Sequence, residues 1–250
     1  MNELHLDRAR AESFGSIAEQ YDRYRPAAPS ALIDALATSR PAQALDVACG
    51  TGQVAVALAS RGLSVLGVEL DPRMAAIARS RGIDVEVGAF ETWGDRGRAF
   101  DLITCGNAWH WIDPVAGVVK AAQLLRVGGT FARFWSFYVL DESILAAFDV
   151  IYREHAPDTH PHGRGPIHGN EGDLVATSDA FSGVEIQTYP WETALTADEW
   201  IGLVSTYSDH QRLGPHVLAK LGRALHAAIE ARGGSVHAQG RTYSLFARRI

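Results

Sequence analysis

The stretch Ala44-Leu45-Asp46-Val47-Ala48-Cys49-Gly50-Thr51-Gly52 decides the fold of this chain. Leu45 and Val47 are typical of the end of a short buried strand, and the two glycines that follow predict a turn with little side-chain bulk. The apolar spacing over residues 51–60 predicts a helix directly after that turn. A strand, a glycine turn and a helix bring backbone N–H groups and a helix N-terminus to one point, which suits a nucleotide-like ligand.

Two carboxylates accompany this turn. Asp46 stands just before the glycines, where it adds an acceptor that a site for phosphate groups alone would not need. Glu69 ends the next predicted strand, 19 positions beyond Gly50. A carboxylate at that place accepts hydrogen bonds from both hydroxyls of an adenosine ribose. A solvated loop acid is the alternative for Glu69, and the glycine turn together with Asp46 favours the ribose.

The rest of the chain alternates predicted strands and helices. Strands are predicted at 63–70, 83–87, 100–105, 130–135, 184–191 and 243–248, and helices at 30–39, 72–81, 115–125, 142–155, 196–208 and 215–232. Such alternation predicts βαβ units and a parallel sheet covered on both faces. Residues 156–173 are rich in Pro, Gly and His without periodicity, and we expect a loop near the site there.

Composition narrows the classes of function. The 250 residues are 47% hydrophobic, enough to bury a full core as one domain. The net charge is −6 and no basic tract is present, so nucleic acid is a disfavoured partner. No stretch approaches the roughly 20 apolar residues of a membrane span, and residues 1–10 lack the apolar core of a signal peptide. Cys49 and Cys105 are expected to be reduced thiols in a cytoplasmic protein.

Four motifs along the chain resemble those of one family. They are Tyr21-x-x-Tyr24-Arg25-Pro26, the Asp46 stretch, Gly67-Val68-Glu69-Leu70-Asp71-Pro72 and Ala108-Trp109-His110-Trp111-Ile112-Asp113-Pro114. Together they resemble the type 11 family of class I S-adenosylmethionine-dependent methyltransferases, and the subgroup of trans-aconitate methyltransferase-like proteins is the nearest. The resemblance covers most of residues 14–135 and returns at 184–248.

The resemblance implies a doubly wound, mostly parallel sheet of seven strands in the order 3-2-1-4-5-7-6, a Rossmann-like fold with helices on both faces. It adds N-terminal helices and a helical cap inserted around the last strands. We therefore expect a single domain over residues 1–250. Within it, we expect a helical lid over residues 1–40 and the cofactor-binding core over 41–135. Variable segments that cover the substrate and include strand 6 are expected over 136–240, and the final strand over 241–250.

By the same resemblance, the cofactor is S-adenosyl-L-methionine, which leaves as S-adenosyl-L-homocysteine. Asp46, Gly50 and Gly52 would hold its methionine end, and Ala48 stands where the family most often has its first glycine. Glu69 would hold the ribose. The remaining expected contacts are Leu70 on the adenine, Ala89 and Phe90 along the adenine edge, Cys105 and Asn107 near the methionine amino group, and Tyr21 and Arg25 from the lid.

Position 89 departs from the family. Many relatives have an aspartate there that bonds the adenine amine, whereas this chain has Ala89. That bond must come from the backbone here or be missing.

The acceptor site is expected after the fourth predicted strand, where Trp109-His110-Trp111 would border the methyl group. Two indoles exclude water and offer π-faces to a sulfonium, although Trp111 is equally well explained as a core residue. His110 is the candidate catalytic base for an acceptor hydroxyl or carboxyl, with a structural histidine as the alternative. Further aromatic wall residues are expected at Trp135, Phe137, Tyr138, Trp200 and Tyr207.

Four arginines bear on the acceptor. They are Arg133, Arg153, Arg164 and Arg212. If two of them face the acceptor site, a carboxylate acceptor is favoured. If they face solvent, a phenol or another hydroxyl acceptor is favoured. Histidines at 155, 160, 162 and 168 could suggest a metal, but ligand spacing with acids is poor and we expect none.

The predicted function is methyl transfer to a small molecule, with O-methylation of a carboxylate or hydroxyl favoured, by in-line displacement achieved mainly through positioning. An NAD-dependent oxidoreductase is one alternative, because Gly50-x-Gly52-x-x-Ala55 fits a dinucleotide fingerprint and Glu69 suits an NAD ribose. Asp46 argues against it, since a pyrophosphate would be repelled. A non-catalytic S-adenosylmethionine-binding protein is the other alternative. We expect a monomer or homodimer.

Overall fold

The strand that precedes the glycine turn, β1 (Gln43–Val47), is the third strand across a seven-stranded sheet. The computed structural model describes residues 4–165 and 173–250. The other strands are β2 (Ser64–Glu69), β3 (Asp84–Val87), β4 (Phe100–Gly106), β5 (Leu125–Leu140), β6 (Phe181–Thr196) and β7 (Ser235–Arg249). Their order, β3-β2-β1-β4-β5-β7-β6, confirms the predicted one. Strands β1 to β5 are parallel, and β7 is antiparallel to both of its neighbours.

Helices cover the sheet. They are α1 (Arg8–Glu12), α2 (Ala18–Tyr24), α3 (Ser30–Ala37), α4 (Gln53–Ala59), α5 (Pro72–Ser80), α6 (Pro114–Leu124), α7 (Glu142–His155), α8 (Leu174–Thr177), α9 (Ala197–Val204), α10 (Ser208–Gln211) and α11 (Gly214–Glu230). Helices α5 and α6 both begin at an Asp-Pro pair, whose aspartate side chain accepts hydrogen bonds from backbone N–H groups of the first turn. In the described part of the chain, no helix is long and apolar enough to cross a membrane.

The last three strands are much longer than the sequence predicted. They have 16, 16 and 15 residues, because β5 continues past the end of β4 and stays paired with β7 as far as Leu140. The last pairing between β4 and β5 joins Gly106 to Phe134. The six further residues of β5 reach about 20 Å beyond the neighbouring parallel strands, at roughly 3.3 Å per residue. This extension lies at the carboxyl edge of the sheet, where ligands of such folds bind.

A second hydrophobic core forms on that extension. Helices α7, α9 and α11 pack there around Trp200, which is 1% exposed. Its indole stacks on Phe148 at a centroid distance of 5.8 Å and meets the edge of Tyr138 at 5.9 Å. We call this unit the cap. Trp200 was expected in the wall of the acceptor chamber, and that prediction is wrong because the cap core buries its ring.

Trp200→Ala is expected to lower the free energy of unfolding by about 3–5 kcal/mol, the usual loss for a fully buried aromatic side chain. The control Val127→Ala changes a residue that is 81% exposed and should shift the same quantity by less than about 0.5 kcal/mol. Urea denaturation followed by circular dichroism measures both variants. A loss below about 1 kcal/mol at Trp200 would mean that the cap contributes little to the folded state.

Candidate active site

The turn after β1 adopts left-handed backbone conformations. Ala48, Gly50 and Gly52 have φ values of 50°, 58° and 82°. A Cβ on Gly52 would lie 2.8 Å from the Cβ of Ala78, so glycine there also permits the close approach of α4 and α5. An alanine in the left-handed region costs about 1–2 kcal/mol. This cost explains why a glycine is the commoner residue at the position of Ala48.

The carboxylate of Glu69 connects this turn to the start of α5. Its Oε2 accepts a hydrogen bond from the backbone N–H of Gly50 at 2.8 Å, and its Oε1 accepts one from Asp71 N–H at 2.9 Å. Burial raises the pKa of Glu69, and these backbone bonds oppose the rise. A carboxylate offers about four acceptor sites, so two donors leave capacity for the hydroxyls of a ligand.

Asp46 lies behind the turn and is 1% exposed. Its Oδ1 accepts a hydrogen bond from Thr104 Oγ1 at 2.7 Å, whereas its buried Oδ2 has no hydrogen-bond partner within residues 4–165 and 173–250. Burial raises the pKa of Asp46 to about 7, the bond from Thr104 opposes this rise, and the nearby charge of Glu69 adds to it. Two carboxylates with raised pKa values therefore flank the glycines, an environment that favours donors and cations over phosphate.

A cavity of about 660 Å³ opens in front of this turn. Thirteen of the residues predicted for the cofactor or for the acceptor wall border it: Tyr21, Arg25, Ala48, Gly50, Glu69, Leu70, Asn107, His110, Trp111, Trp135, Phe137, Tyr138 and Tyr207. Seven others do not: Asp46, Gly52, Ala89, Phe90, Cys105, Trp109 and Trp200. The side chains of Phe90 and Cys105 are buried in the core of the sheet, so neither side chain reaches a ligand in this cavity.

Both tryptophans beside His110 were expected to border the acceptor site, and only Trp111 borders the cavity. Trp109 was predicted to border the methyl group, but it packs in the core, with its ring centroid 4.9 Å from that of Phe131. Trp111, equally well explained as a core residue, borders the cavity and meets the edge of Phe14 at 5.8 Å. Residues 109–111 form one turn of 3₁₀ helix, in which successive side chains are about 120° apart. Only one of the two indoles can therefore face the ligand.

His110 borders the cavity, yet its environment does not suit a base. Its Nδ1 accepts a hydrogen bond from the indole N–H of Trp135 at 3.3 Å. Burial, together with the charges of Arg10 and Arg25, lowers the pKa of His110 to about 4. The ring is neutral at pH 7 with its proton on Nε2, so it can donate a hydrogen bond but has no free lone pair to accept a proton.

The N-terminal segment contacts both the sheet and the cap. Arg25 donates to Thr206 Oγ1 at 2.8 Å and to its carbonyl oxygen at 3.0 Å. Its guanidinium lies 4.2 Å from the ring centroid of Tyr207 and 5.0 Å from that of Tyr21. On the sheet side, Gln53 Nε2 donates to the carbonyl oxygen of Arg25 at 3.3 Å. The segment thus lies across one side of the cavity.

A further polar cluster borders the cavity, and sequence reasoning missed it. Asp209 Oδ2 lies 3.1 Å from Nε2 of His162, and its Oδ1 lies 2.9 Å from Nδ1 of His210. The hydroxyl of Tyr152 lies 2.7 Å from Nε2 of His210. Burial would raise the pKa of Asp209, but the hydrogen bonds from both histidines outweigh it and hold the pKa well below its usual range.

The residue types of this cluster also allow another use. His162, Asp209 and His210 each have a potential ligand atom, and these three atoms lie within 4.8 Å of one another. At that spacing they could also coordinate a metal ion. His168, named at first as another possible ligand, lies outside the described residues. His162 had been assigned to a loop, and no sequence pattern links it to Asp209, 47 positions away.

The strand order and the antiparallel β7 are those of the class I methyltransferase fold, and the acid-flanked glycine turn follows its first strand. Residues 44–129 of the chain match the family described as methyltransferase domain. The chain is 29% identical over 202 residues to an uncharacterized methyltransferase of Mycobacterium tuberculosis. The matched residues cover 78% of this chain and 76% of that relative. It is 40% identical over 93 residues to the ubiquinone biosynthesis O-methyltransferase of Idiomarina loihiensis, covering 34% of this chain and 38% of the relative.

Solved structures share the fold. A candidate type II methyltransferase from Anaeromyxobacter dehalogenans matches with a TM-score of 0.66 at 23% identity, covering 90% of this chain and 98% of that one. A phosphoethanolamine N-methyltransferase from Haemonchus contortus, solved with S-adenosylhomocysteine, matches with a TM-score of 0.54 at 15% identity over 98% of this chain and 59% of its own. The chain thus has the fold of class I methyltransferases and is similar in sequence to a methyltransferase over most of its length, and the trans-aconitate subgroup stays a prediction.

The buried Asp46 makes stability depend on pH. Because its folded-state pKa is raised from 3.8 to about 7, the folded state binds this proton more tightly than the unfolded chain, and ionisation costs stability as pH rises from about 4 to 7. Asp46→Asn removes that cost. Between pH 4.5 and 7.5, the unfolding free energy of the variant should rise by about 2–3 kcal/mol relative to the wild type, at 1.36 kcal/mol per pKa unit. Urea titrations at both pH values measure it, and parallel pH dependences would contradict the raised pKa.

Proposed function

We propose that this chain transfers a methyl group from S-adenosyl-L-methionine to a hydroxyl group of a small, flat acceptor. The observation that carries the proposal is one continuous cavity, bordered by Gly50, Glu69 and Leu70 on one side and by Trp111 and Trp135 on another. Its volume of about 660 Å³ is in the range of small-molecule sites. An adenosine-binding turn and an aromatic wall therefore share one space.

The donor fits the residues at the turn. We assign Glu69 to the ribose hydroxyls and Leu70 to the adenine face, because the carboxylate is already fixed by two backbone donors and both residues border the cavity. Asp46 is buried behind the turn and does not border the cavity, so we propose that it acts on the methionine amino group only through its negative charge. Asn107 borders the same region, with its side-chain oxygen accepting from the N–H of Ser136 at 2.8 Å. When bound, the cofactor supplies a methyl group on a positively charged sulfur, a good leaving group.

The chain's own contribution is to position the acceptor and exclude water. The rings of Phe14, Trp111 and Trp135 border the cavity and offer π-faces toward a cation. His110, neutral with its proton on Nε2, offers a hydrogen bond to an acceptor oxygen. We further propose that residues 1–40 form a lid within a single domain over 1–250, with Tyr21 and Arg25 beside the methionine moiety.

The four arginines named from the sequence do not supply the paired cations that a carboxylate acceptor would require. Arg133 is 5% exposed and pairs with Asp173, so its charge is already neutralised in the interior. Arg164 borders the cavity, but both oxygens of Asp149 hold it at 2.6 Å. Arg153 and Arg212 are exposed to solvent. Of these four only Arg164 borders the cavity, and Asp149 already pairs with it; Arg10 and Arg25 border the cavity as well, and we assign Arg25 to the cofactor. The similarity to a ubiquinone biosynthesis O-methyltransferase agrees with a hydroxyl acceptor.

Cofactor binding tests the donor half of the proposal. Calorimetry should show that S-adenosylhomocysteine binds and NAD does not, because two buried carboxylates beside the glycines disfavour a pyrophosphate. Glu69→Gln should weaken S-adenosylhomocysteine by about 1.5–3 kcal/mol, as expected for hydrogen bonds to a charged group.

The matched control is Glu86→Gln. Glu86 lies on the neighbouring strand β3 and pairs with Arg98 at 2.8 Å, away from the cavity, so affinity should not change. In the same samples, hydrogen exchange over residues 10–25 should slow on S-adenosylhomocysteine binding if the lid closes. Binding of NAD alone would refute the assignment, and equal affinities in both variants would remove Glu69 from the ribose.

A panel of acceptors tests the other half. With methyl-labelled S-adenosylmethionine, we expect label in catechols and phenols such as 3,4-dihydroxybenzoate, and none above background in aliphatic tricarboxylates. Label in the tricarboxylates alone would overturn the choice of a hydroxyl. Tight S-adenosylhomocysteine binding without turnover of any acceptor would support a non-catalytic binding protein instead.

A further inference from the structure

The hydrogen bonds around Asp209 fix the positions of several protons. An ionised carboxylate only accepts hydrogen bonds, so the atoms that contact it, Nε2 of His162 and Nδ1 of His210, must both carry hydrogen. Nε2 of His210 is then an acceptor, which matches the hydroxyl of Tyr152 at 2.7 Å. The network is satisfied with a single proton on each imidazole, and this arrangement leaves a lone pair on Nδ1 of His162.

His162 presents that lone pair from a defined position. Its ring stacks on that of Tyr207, with a centroid distance of 3.8 Å and an interplanar angle of 14°. The guanidinium of Arg25 in turn lies 4.2 Å from the ring centroid of Tyr207. Asp209 holds one edge of the ring, and the residue borders the cavity. Within residues 4–165 and 173–250, no group donates a hydrogen bond to Nδ1 of His162. This is the opposite of His110, whose Nδ1 is taken by Trp135.

The path of β5 places His162 on the acceptor side. Ser136 N–H donates to Asn107, at the cofactor end of the cavity. Two to four residues further along the same strand, Gly165 N–H donates to the carbonyl oxygen of Tyr138 at 3.0 Å, and Leu140 N–H donates to that of Gly163 at 2.8 Å. At about 3.3 Å per residue, the loop that carries His162 pairs with β5 roughly 7–13 Å beyond the Asn107 contact.

We infer that His162, oriented by Asp209, is the catalytic base that accepts the hydroxyl proton of the methyl acceptor. The inference rests on the proposed function and names the proton acceptor that the proposal leaves open. His110 then serves only as a hydrogen-bond donor in the same cavity.

The proton balance is simple. The O–H bond of the acceptor breaks, its proton forms a bond to Nδ1 of His162, and the electron pair stays on the oxygen that attacks the methyl group. The imidazolium, stabilised by the adjacent carboxylate of Asp209, later loses the proton to water. A phenol has an ordinary pKa near 10, so a positioned base at neutral pH typically contributes about 10²–10⁴-fold in rate.

The tautomer of His162 tests this assignment without any acceptor. Long-range ¹H–¹⁵N spectra of the ligand-free protein, assigned by comparison with His162→Gln, should show neutral His162 protonated on Nε2. Asp209→Asn should shift the ring toward a mixture of tautomers. A wild-type ring protonated on Nδ1 would overturn the proposal, because no lone pair would then be available to the acceptor.

Turnover of 3,4-dihydroxybenzoate provides the kinetic readout. His162→Gln should lower kcat about 10²–10⁴-fold with S-adenosylhomocysteine affinity unchanged, whereas His110→Gln should lower kcat less than about tenfold. His216→Gln, an exposed histidine on α11, is the control and should behave as the wild type. A larger loss at His110 than at His162 would overturn the assignment. If no acceptor is methylated, the measured tautomer of His162 alone decides whether this residue can be the base.

A metal ion is the competing use of the same side chains. Titration with Co²⁺ should give no visible absorption band that depends on His162 and Asp209, and such a band would make the cluster a metal site and overturn the base assignment. The two levels of the proposal fail separately. Absence of S-adenosylhomocysteine binding refutes the proposed function, while normal binding with the wrong tautomer refutes only the role of His162.

Discussion

The bonds from Gly50 and Asp71 to the carboxylate of Glu69 determine how the cofactor half of this molecule is assembled. They join the glycine turn after β1, the end of β2 and the start of α5 at a single buried acid. The N-terminal segment packs against the same point, because a Cβ on Gly15 would lie 2.0 Å from the carboxylate of Asp71. With Asp46 unpartnered nearby, the site concentrates acceptors where most nucleotide turns present donors.

A second constraint comes from the length of β5. Since this strand continues beyond β4 while still paired with β7, it carries a separate hydrophobic core above the carboxyl edge of the sheet. Helix α10, between α9 and α11 in the chain, places Asp209 beside the cavity, and the segment that follows α7 brings His162 to it. One set of strands therefore supports the cofactor side and the acceptor side in a fixed relation.

The sequence could predict the part of the fold that depends on local signals. Neighbouring residues alone predict the glycine turn, the Asp-Pro helix starts and the alternation of strands and helices. The family resemblance supplied the strand order, which the structure confirms. The lengths of β5 to β7 were underestimated because their outer halves pack against cap helices that are distant in sequence. Which of Trp109 and Trp111 borders the cavity depends on one 3₁₀ turn. The contact between His162 and Asp209 has no local signal at all.

The edge strand β6 has a consequence for how molecules of this protein meet. In the described sheet β6 pairs with β7 on one side only, so its other edge presents backbone groups to solvent. Pro190 lies in the middle of this strand and lacks an N–H, and Glu185 and Glu192 place negative charge along it. Proline and charge on an exposed edge discourage the addition of a further strand from another chain. Growth of the sheet into aggregates, or a continuous sheet across two copies, is thereby opposed at the strand that supports the cap.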